Sequence, residues 1–285
     1  MNKLAKYKKF GSVPTTAVNF DSFGHTQGLV QILKKCGYDG YIFCRPMKEL
    51  LSLPNMTFTW QGFDGSSIKA VRGEDISIYS SHLGTAVNDI KRKAEPWKDE
   101  DIALILWGVG NHGGGASRKD LNEIKEFQQQ EKWVKIIHST PENYFDKVDP
   151  KVTFNKALEP VFVKCYTSDA RLKQKYAELE NKLFITEKIC SVSAINGLYY
   201  PNSEAFNEIQ KCLSRVQFHD VLSGTSIYDG EQSSLRCIDH ALELLQTEYD
   251  NAFFALIKNE KPAVPEEFPI YVFNGNPYKV KCISE

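Results

Sequence analysis

Two hydrophobic rhythms divide this chain. Up to about residue 150, short apolar runs alternate with amphipathic stretches, as when strands and helices take turns in an α/β fold. Residues 13–20 read as a strand. Residues 26–36 follow as a helix, with Leu29, Val30, Ile32 and Leu33 apolar and Gly37 placed to end it. Strands are predicted at 40–44, 58–60 and 68–71, then at 102–107, where Ile-Ala-Leu-Ile-Leu-Trp has no polar interruption. That run enters the glycine-rich stretch 108–115, and a helix over 119–130 and a strand over 134–138 complete the section.

From about residue 160 the strand signal stops. Leu172, Tyr176, Leu179 and Leu183 recur at helical spacing over 168–191, with Ser168 placed to cap. Phe206, Ile209, Leu213 and Val216 share one face of 202–217, and Leu235, Ile238, Leu242, Leu245 and Tyr249 mark a third helix over about 231–258. Three antiparallel helices with short connections predict a bundle whose apolar stripes are its core. Lys261-Pro262-Ala263-Val264-Pro265 reads as a linker and 269–274 as one more strand, without a partner in the sequence that follows. The divisions expected are therefore 1–155, 156–260 and 261–285.

Composition narrows the function classes. With 35 basic and 36 acidic residues the net charge is −1, which gives no electrostatic basis for binding nucleic acid or an anionic membrane. No apolar run is long enough to span a bilayer, and the basic start lacks a secretory apolar stretch. Seven cysteines without a C-x-x-C predict free thiols in a reducing compartment, hence the cytoplasm.

Candidate chemistry sits in two short segments. In Asn19-Phe20-Asp21-Ser22-Phe23-Gly24-His25, Asp21 follows a predicted strand, where α/β folds place functional groups; capping the next helix is the bland alternative. Arg45 and Asn111 hold the same position after later strands. In Gln217-Phe218-His219-Asp220-Val221-Leu222-Ser223-Gly224-Thr225, His219 is either a metal ligand or an ordinary core histidine. The 108–115 loop has neither a P-loop ending nor a dinucleotide fingerprint. Asp64-Gly65 reads either as a hairpin turn or as a source of a catalytic carboxyl.

These two segments resemble the zinc-dependent, retaining α-mannosidases of glycoside hydrolase family 38. The likeness continues through Gly24-His25-Thr26, Leu29, Ile32, Leu33, Gly37, Tyr41, Phe43 and Arg45-Pro46, with Ser223 standing where proline is common. It implies the later part of a (β/α) barrel, a three-helix bundle and the first strand of a β-sandwich domain. It further implies hydrolysis of terminal α-linked mannose with retention: Asp21 as nucleophile and zinc ligand, His219 as zinc ligand, Arg45 beside the nucleophile, and Asp220 contacting substrate. A guanidinium beside a carboxylate favours its charged, nucleophilic form.

Two departures bear on activity. The family's other zinc ligands come from a His-x-Asp, yet the residues two after the six histidines here are Gln27, Gly84, Gly114, Thr140, Val221 and Leu242. Where the family's glycine loop often carries an acidic Asp, this chain has Asn111, which cannot donate a proton as an acid. Asn111 and His112 are then expected to contact substrate, and Asp64 is the alternative acid. The likeness thus implies a fragment whose Zn2+ site is completed by an N-terminal segment, for which a separate polypeptide is one source. A non-catalytic carbohydrate-binding or structural remnant is the alternative.

Overall fold

The computed structural model describes residues 11–73, 81–97, 100–110, 114–260, 264, 266 and 268–281. Described residues up to Val163 form one compact unit, and those from Lys164 onward form a second. Asn111 and His112 lie outside the described residues.

In chain order the first unit holds β1 (Thr16–Asn19), α1 (Gly28–Lys35), β2 (Gly40–Phe43), β3 (Thr57–Gln61) and β4 (Ser67–Arg72). After these come α2 (Ala86–Ala94), β5 (Val109–Gly110), β6 (Gly114–Gly115), α3 (Arg118–Gln130), α4 (Pro141–Lys147) and β7 (Thr153–Phe154). The main sheet runs β1-β2-β4-β3-β7, with β1, β2 and β4 parallel and the β3–β4 hairpin antiparallel. Alternation along the strands sends Tyr41, Phe43, Phe58, Trp60, Ile68 and Ala70 to one face, where Leu29, Val30 and Leu33 of α1 cover them. Ile42 and Val71 point the other way and meet Tyr144 and Phe145 of α4. Every residue of β2 is buried, as in a strand covered on both faces.

That cover is tight at the start of β2, where a Cβ on Gly40 would be driven into the Phe145 ring. Gly40→Ala is expected to destabilise this unit by about 1–3 kcal/mol, read as a lower urea midpoint with an unchanged slope.

Two expected strands are absent here. Residues 102–107 and 134–138 form no ladder, because no described strand lies alongside them. The first run is held instead by side chains: Ile105 and Trp107 pack with Ala86, Ile90 and Ile124, and Lys93 Nζ donates to the Leu106 carbonyl at 2.8 Å. Only beyond it does Val109 bridge to Ser81.

The second unit is helical: α5 (Ala170–Ile195), α6 (Ser203–Val216) and α7 (Tyr228–Ile257). Leu172, Leu179, Leu183, Ile209, Val216, Leu235, Ile238 and Leu245 form its shared core, as the 3.6-residue spacing predicts. The cap of α5 is Asp169 rather than Ser168. Its backbone is left-handed (φ 48°), which suits a short polar side chain, and its carboxylate accepts from Leu172 N–H.

The free-thiol expectation also needs correction. Cys212 of α6 and Cys237 of α7 are joined as a disulfide, with Cα atoms 6.0 Å apart, while Cys36, Cys44, Cys165 and Cys190 are free. Packing two helices face to face brought together thiols that sequence spacing keeps 25 residues apart. Residues 268–281 carry no strand, and Ile270 and Val272 are exposed, since no described strand pairs with them. Among the described residues, no helix is long and apolar enough to cross a membrane.

Candidate active site

The β1–β2 ladder positions two of the candidate residues. Asn19 pairs with Phe43, and two residues beyond each stand Asp21 and Arg45. Parallel strands in this register deliver both side chains to the same end of the sheet. Arg45 Nη2 lies 3.3 Å from Asp21 Oδ1, and both side chains are mostly sheltered, at 13% and 28% exposed.

Aromatic rings hold the guanidinium in place. Its centre sits 5.7 Å from the Phe23 ring and 5.1 Å from that of Phe162, and the two rings meet edge to face at 5.2 Å. Phe162 adopts φ 46°, a left-handed conformation that bulky residues seldom take. No sequence pattern pointed to Phe162: it belongs to no periodic stripe, and its backbone conformation is illegible in a phenylalanine. Gly24, at φ 97°, is the residue type its turn requires.

Behind the pair lies His25, almost completely buried. Its Nε2 is 2.8 Å from the Arg45 carbonyl, and its Nδ1 is 2.6 Å from the Tyr41 hydroxyl. Tyr41 also bonds the Asn19 side chain, which accepts from Ser22 Oγ. Burial lowers the His25 pKa from 6.5 to about 4, partly offset by its bond to the Arg45 carbonyl. Burial likewise raises the Tyr41 hydroxyl. Burial first, and then the Asp21 charge, push the Cys44 thiol up to about 12, so Cys44 is no nucleophile despite its position.

The helical unit carries two further candidate residues. The turn after α6 carries His219 and Asp220. The His219 ring lies tilted against that of Phe218, with centroids 4.2 Å apart, and its Nε2 is 3.7 Å from Asp220 Oδ2. Asp220 organises the turn: its carboxylate accepts from Thr225 Oγ1 at 2.9 Å and its carbonyl from Ser226 Oγ at 2.7 Å. Gly224, at φ 76°, lets the turn approach Ser168 and Asp169, where a Cβ would collide, and Ser168 Oγ donates to the Ser223 carbonyl. The His219 and Asp220 side chains are both partly open to solvent.

Asp64 stands apart, in the β3–β4 turn. Its carboxylate accepts from Ser66 Oγ at 2.5 Å and Ser66 N at 3.1 Å, with Lys35 3.8 Å away. The Ser66 hydroxyl foremost holds its pKa below the ordinary carboxylate value. That is the geometry of the hairpin-turn alternative, and the shift runs against what a proton donor needs.

Among the described residues, no three His, Cys, Asp or Glu side chains cluster for a metal. The two residues expected to bind a metal lie in different units, Asp21 in the first and His219 in the second. Zinc takes about four ligands, and the described residues of neither unit bring that many together.

A carboxylate locked to a guanidinium at the carboxyl ends of adjacent parallel strands defines an α/β protein with a strand-end site. Comparison with known proteins gives the lineage. Residues 5–169 match the description "Glycosyl hydrolases family 38 N-terminal domain", and residues 161–256 match "Alpha mannosidase middle domain". The chain belongs to glycosyl hydrolase family 38. Similar proteins include "Alpha-mannosidase G" of Dictyostelium discoideum, 28% identical over 77% of this chain and 21% of the relative. The "Alpha-mannosidase" of Saccharomyces cerevisiae is 24% identical over 73% and 21% respectively. The fold is similar to the crystal structure of an alpha-mannosidase from Enterococcus faecalis V583, with TM-score 0.75 and 15% identity over 89% of this chain and 31% of that one. The chain thus spans about a fifth of the length of the curated relatives it matches.

Proposed function

We propose that this chain supplies the nucleophile half of an α-mannosidase that hydrolyses terminal α-linked mannose with retention. One observation carries the reading: the Asp21–Arg45 pair, at 3.3 Å on a strand-end site, in a chain of this family. In the reaction, an Asp21 oxygen attacks the anomeric carbon, the glycosidic bond breaks, and the leaving oxygen takes a proton from a general acid. Water then hydrolyses the glycosyl ester, so two inversions give retention. Arg45, seated against the Phe23 and Phe162 rings, holds the carboxylate in line. Asp220, with Asn111 and His112, receives sugar hydroxyls. The general acid is unassigned, since Asp64 is bound up in its turn.

In this reading residues 1–155 are part of a (β/α) barrel, 156–260 the three-helix bundle of the middle domain, and 261–285 the approach to a β-domain. Asp21 and His219 are the zinc donors of this chain, and the remaining donors come from outside it, from a polypeptide bearing a His-x-Asp. A cytoplasmic setting goes with this reading on the free thiols of Cys36, Cys44, Cys165 and Cys190, though the Cys212–Cys237 pair weighs the other way.

The test is zinc content together with hydrolysis of a chromogenic α-mannoside, for the chain alone and after adding a His-x-Asp segment from a relative. Zinc and turnover are expected to appear together on addition. Turnover by the 285-residue chain alone would overturn the dependence on outside donors. Zinc binding without turnover would favour a non-catalytic carbohydrate-binding role.

A further inference from the structure

We infer that His25 is a positioning residue for the Asp21–Arg45 pair, a neutral imidazole whose Nε2–H pins the Arg45 backbone while Tyr41 holds its Nδ1. The inference deepens, and rests on, the reading of Asp21 as nucleophile.

The direction of every proton in the network follows from one atom. The Arg45 carbonyl can only accept, so His25 Nε2, 2.8 Å away, must carry the hydrogen. In a neutral ring Nδ1 is then an acceptor, so the Tyr41 hydroxyl, 2.6 Å away, donates to it. The Tyr41 oxygen is left to accept from the Asn19 amide N–H, and the Asn19 carbonyl oxygen accepts from Ser22 Oγ. Each donor meets one acceptor, and no proton is contested. The chain begins at Ser22, beside Asp21, crosses β1 and β2, and ends on the backbone of Arg45. It therefore ties the loop bearing the carboxylate to the loop bearing the guanidinium.

The surroundings fix the ring itself. His25 packs edge-on against Tyr41 and Phe43, at 5.5 and 5.6 Å, and its own backbone pairs with Leu158 in both directions. An imidazole so enclosed cannot swing towards a ligand, which makes positioning, not proton transfer, its role.

Imidazole nitrogen NMR on the 285-residue chain, with His25→Gln to assign the signal, reads the tautomer directly. The Nε2–H form is expected near neutral pH, and an Nδ1–H form would overturn the inference. The Arg45 Nε–H resonance reports positioning. It should survive in His25→Gln, whose amide can still donate to the carbonyl, and broaden away in His25→Leu. An unchanged Arg45 signal in His25→Leu would overturn the inference. Should that variant unfold the first unit, Tyr41→Phe removes one hydroxyl and keeps the ring: the Arg45 carbonyl still holds the Nε2–H form, while the Nδ1 resonance is expected to shift on losing its donor, and an unmoved Nδ1 resonance would overturn the network.

In an assembly that turns over an α-mannoside, His25→Leu should lower kcat on the order of 10–100-fold at a nearly constant KM, with His25→Gln recovering most of it. Equal kcat in all three proteins would remove the positioning role. If no assembly shows turnover, the α-mannosidase reading fails on its own, and the two resonances still decide what His25 does.

Discussion

Asp21→Asn is expected to cut α-mannoside turnover roughly 10⁴-fold or more while leaving the fold in place. Asparagine has nearly the shape of aspartate, so the strand-end loop and its neighbours need not move. What it lacks is an oxygen that can form a glycosyl ester, and retention has no other first step. The stability change should be small: a partly sheltered ion pair such as Asp21–Arg45 is worth on the order of 1 kcal/mol or less. Rate and unfolding measured on the same preparation separate the outcomes. Turnover within tenfold of the parent would remove Asp21 from the nucleophile role. A large drop in unfolding temperature together with the rate would make the pair structural instead.

Acid should weaken the first unit well before its carboxylates protonate. His25 has a pKa of about 4 in the fold against 6.5 when exposed. Between those values the unfolded chain binds a proton that the folded chain refuses, so stability falls as pH falls through this window. The contribution is complete above about 6.5 and gone below about 4. At ~1.4 kcal/mol per pH unit it amounts to about 3 kcal/mol. Asp120 follows the other window. Burial alone would raise its carboxyl, but the Ser117 hydroxyl and the Ala86 and Gly84 amides together hold it low, so its contribution is lost only below the ordinary carboxylate value. Urea unfolding followed by tryptophan fluorescence, at near-neutral pH and near pH 4, should show the loss, and His25→Gln should abolish most of it. A parent protein equally stable at both pH values would mean His25 is protonated inside the fold.

The helices were legible because their cores repeat: Leu172, Leu179 and Leu183 announce a buried face at 3.6-residue spacing whatever the neighbours do. Strands were legible only where a partner exists. Residues 40–43 and 102–107 look alike in sequence, yet only the first run is paired on both sides. An apolar run reports burial, and pairing is a property of something elsewhere in the chain. The cap of α5 falls one residue later than expected: Ser168 and Asp169 are both capable, but the Asp169 carboxylate meets Leu172 N–H while the Ser168 hydroxyl turns to the Ser223 carbonyl.

For the candidate site, the strand-end rule put Asp21 and Arg45 just past the carboxyl ends of strands, which is where the β1–β2 ladder leaves them. His25 could be read only as part of a motif, since its role depends on Tyr41 and on a backbone carbonyl 20 residues away. Phe162 was invisible, because a ring recruited from 117 residues after Arg45 leaves no local trace.

The ladder between β1 and β2 is only four pairs long, and it does more than hold the sheet's edge. Because Asp21 and Arg45 each stand two steps past its last rung, the ladder acts as a vernier. A slip of one residue would turn the carboxylate to the opposite face of the sheet and leave the guanidinium facing a neighbour of the wrong kind. Substitutions at Thr16 or Ala17, far from any substrate, would then misalign the pair before they unfold anything.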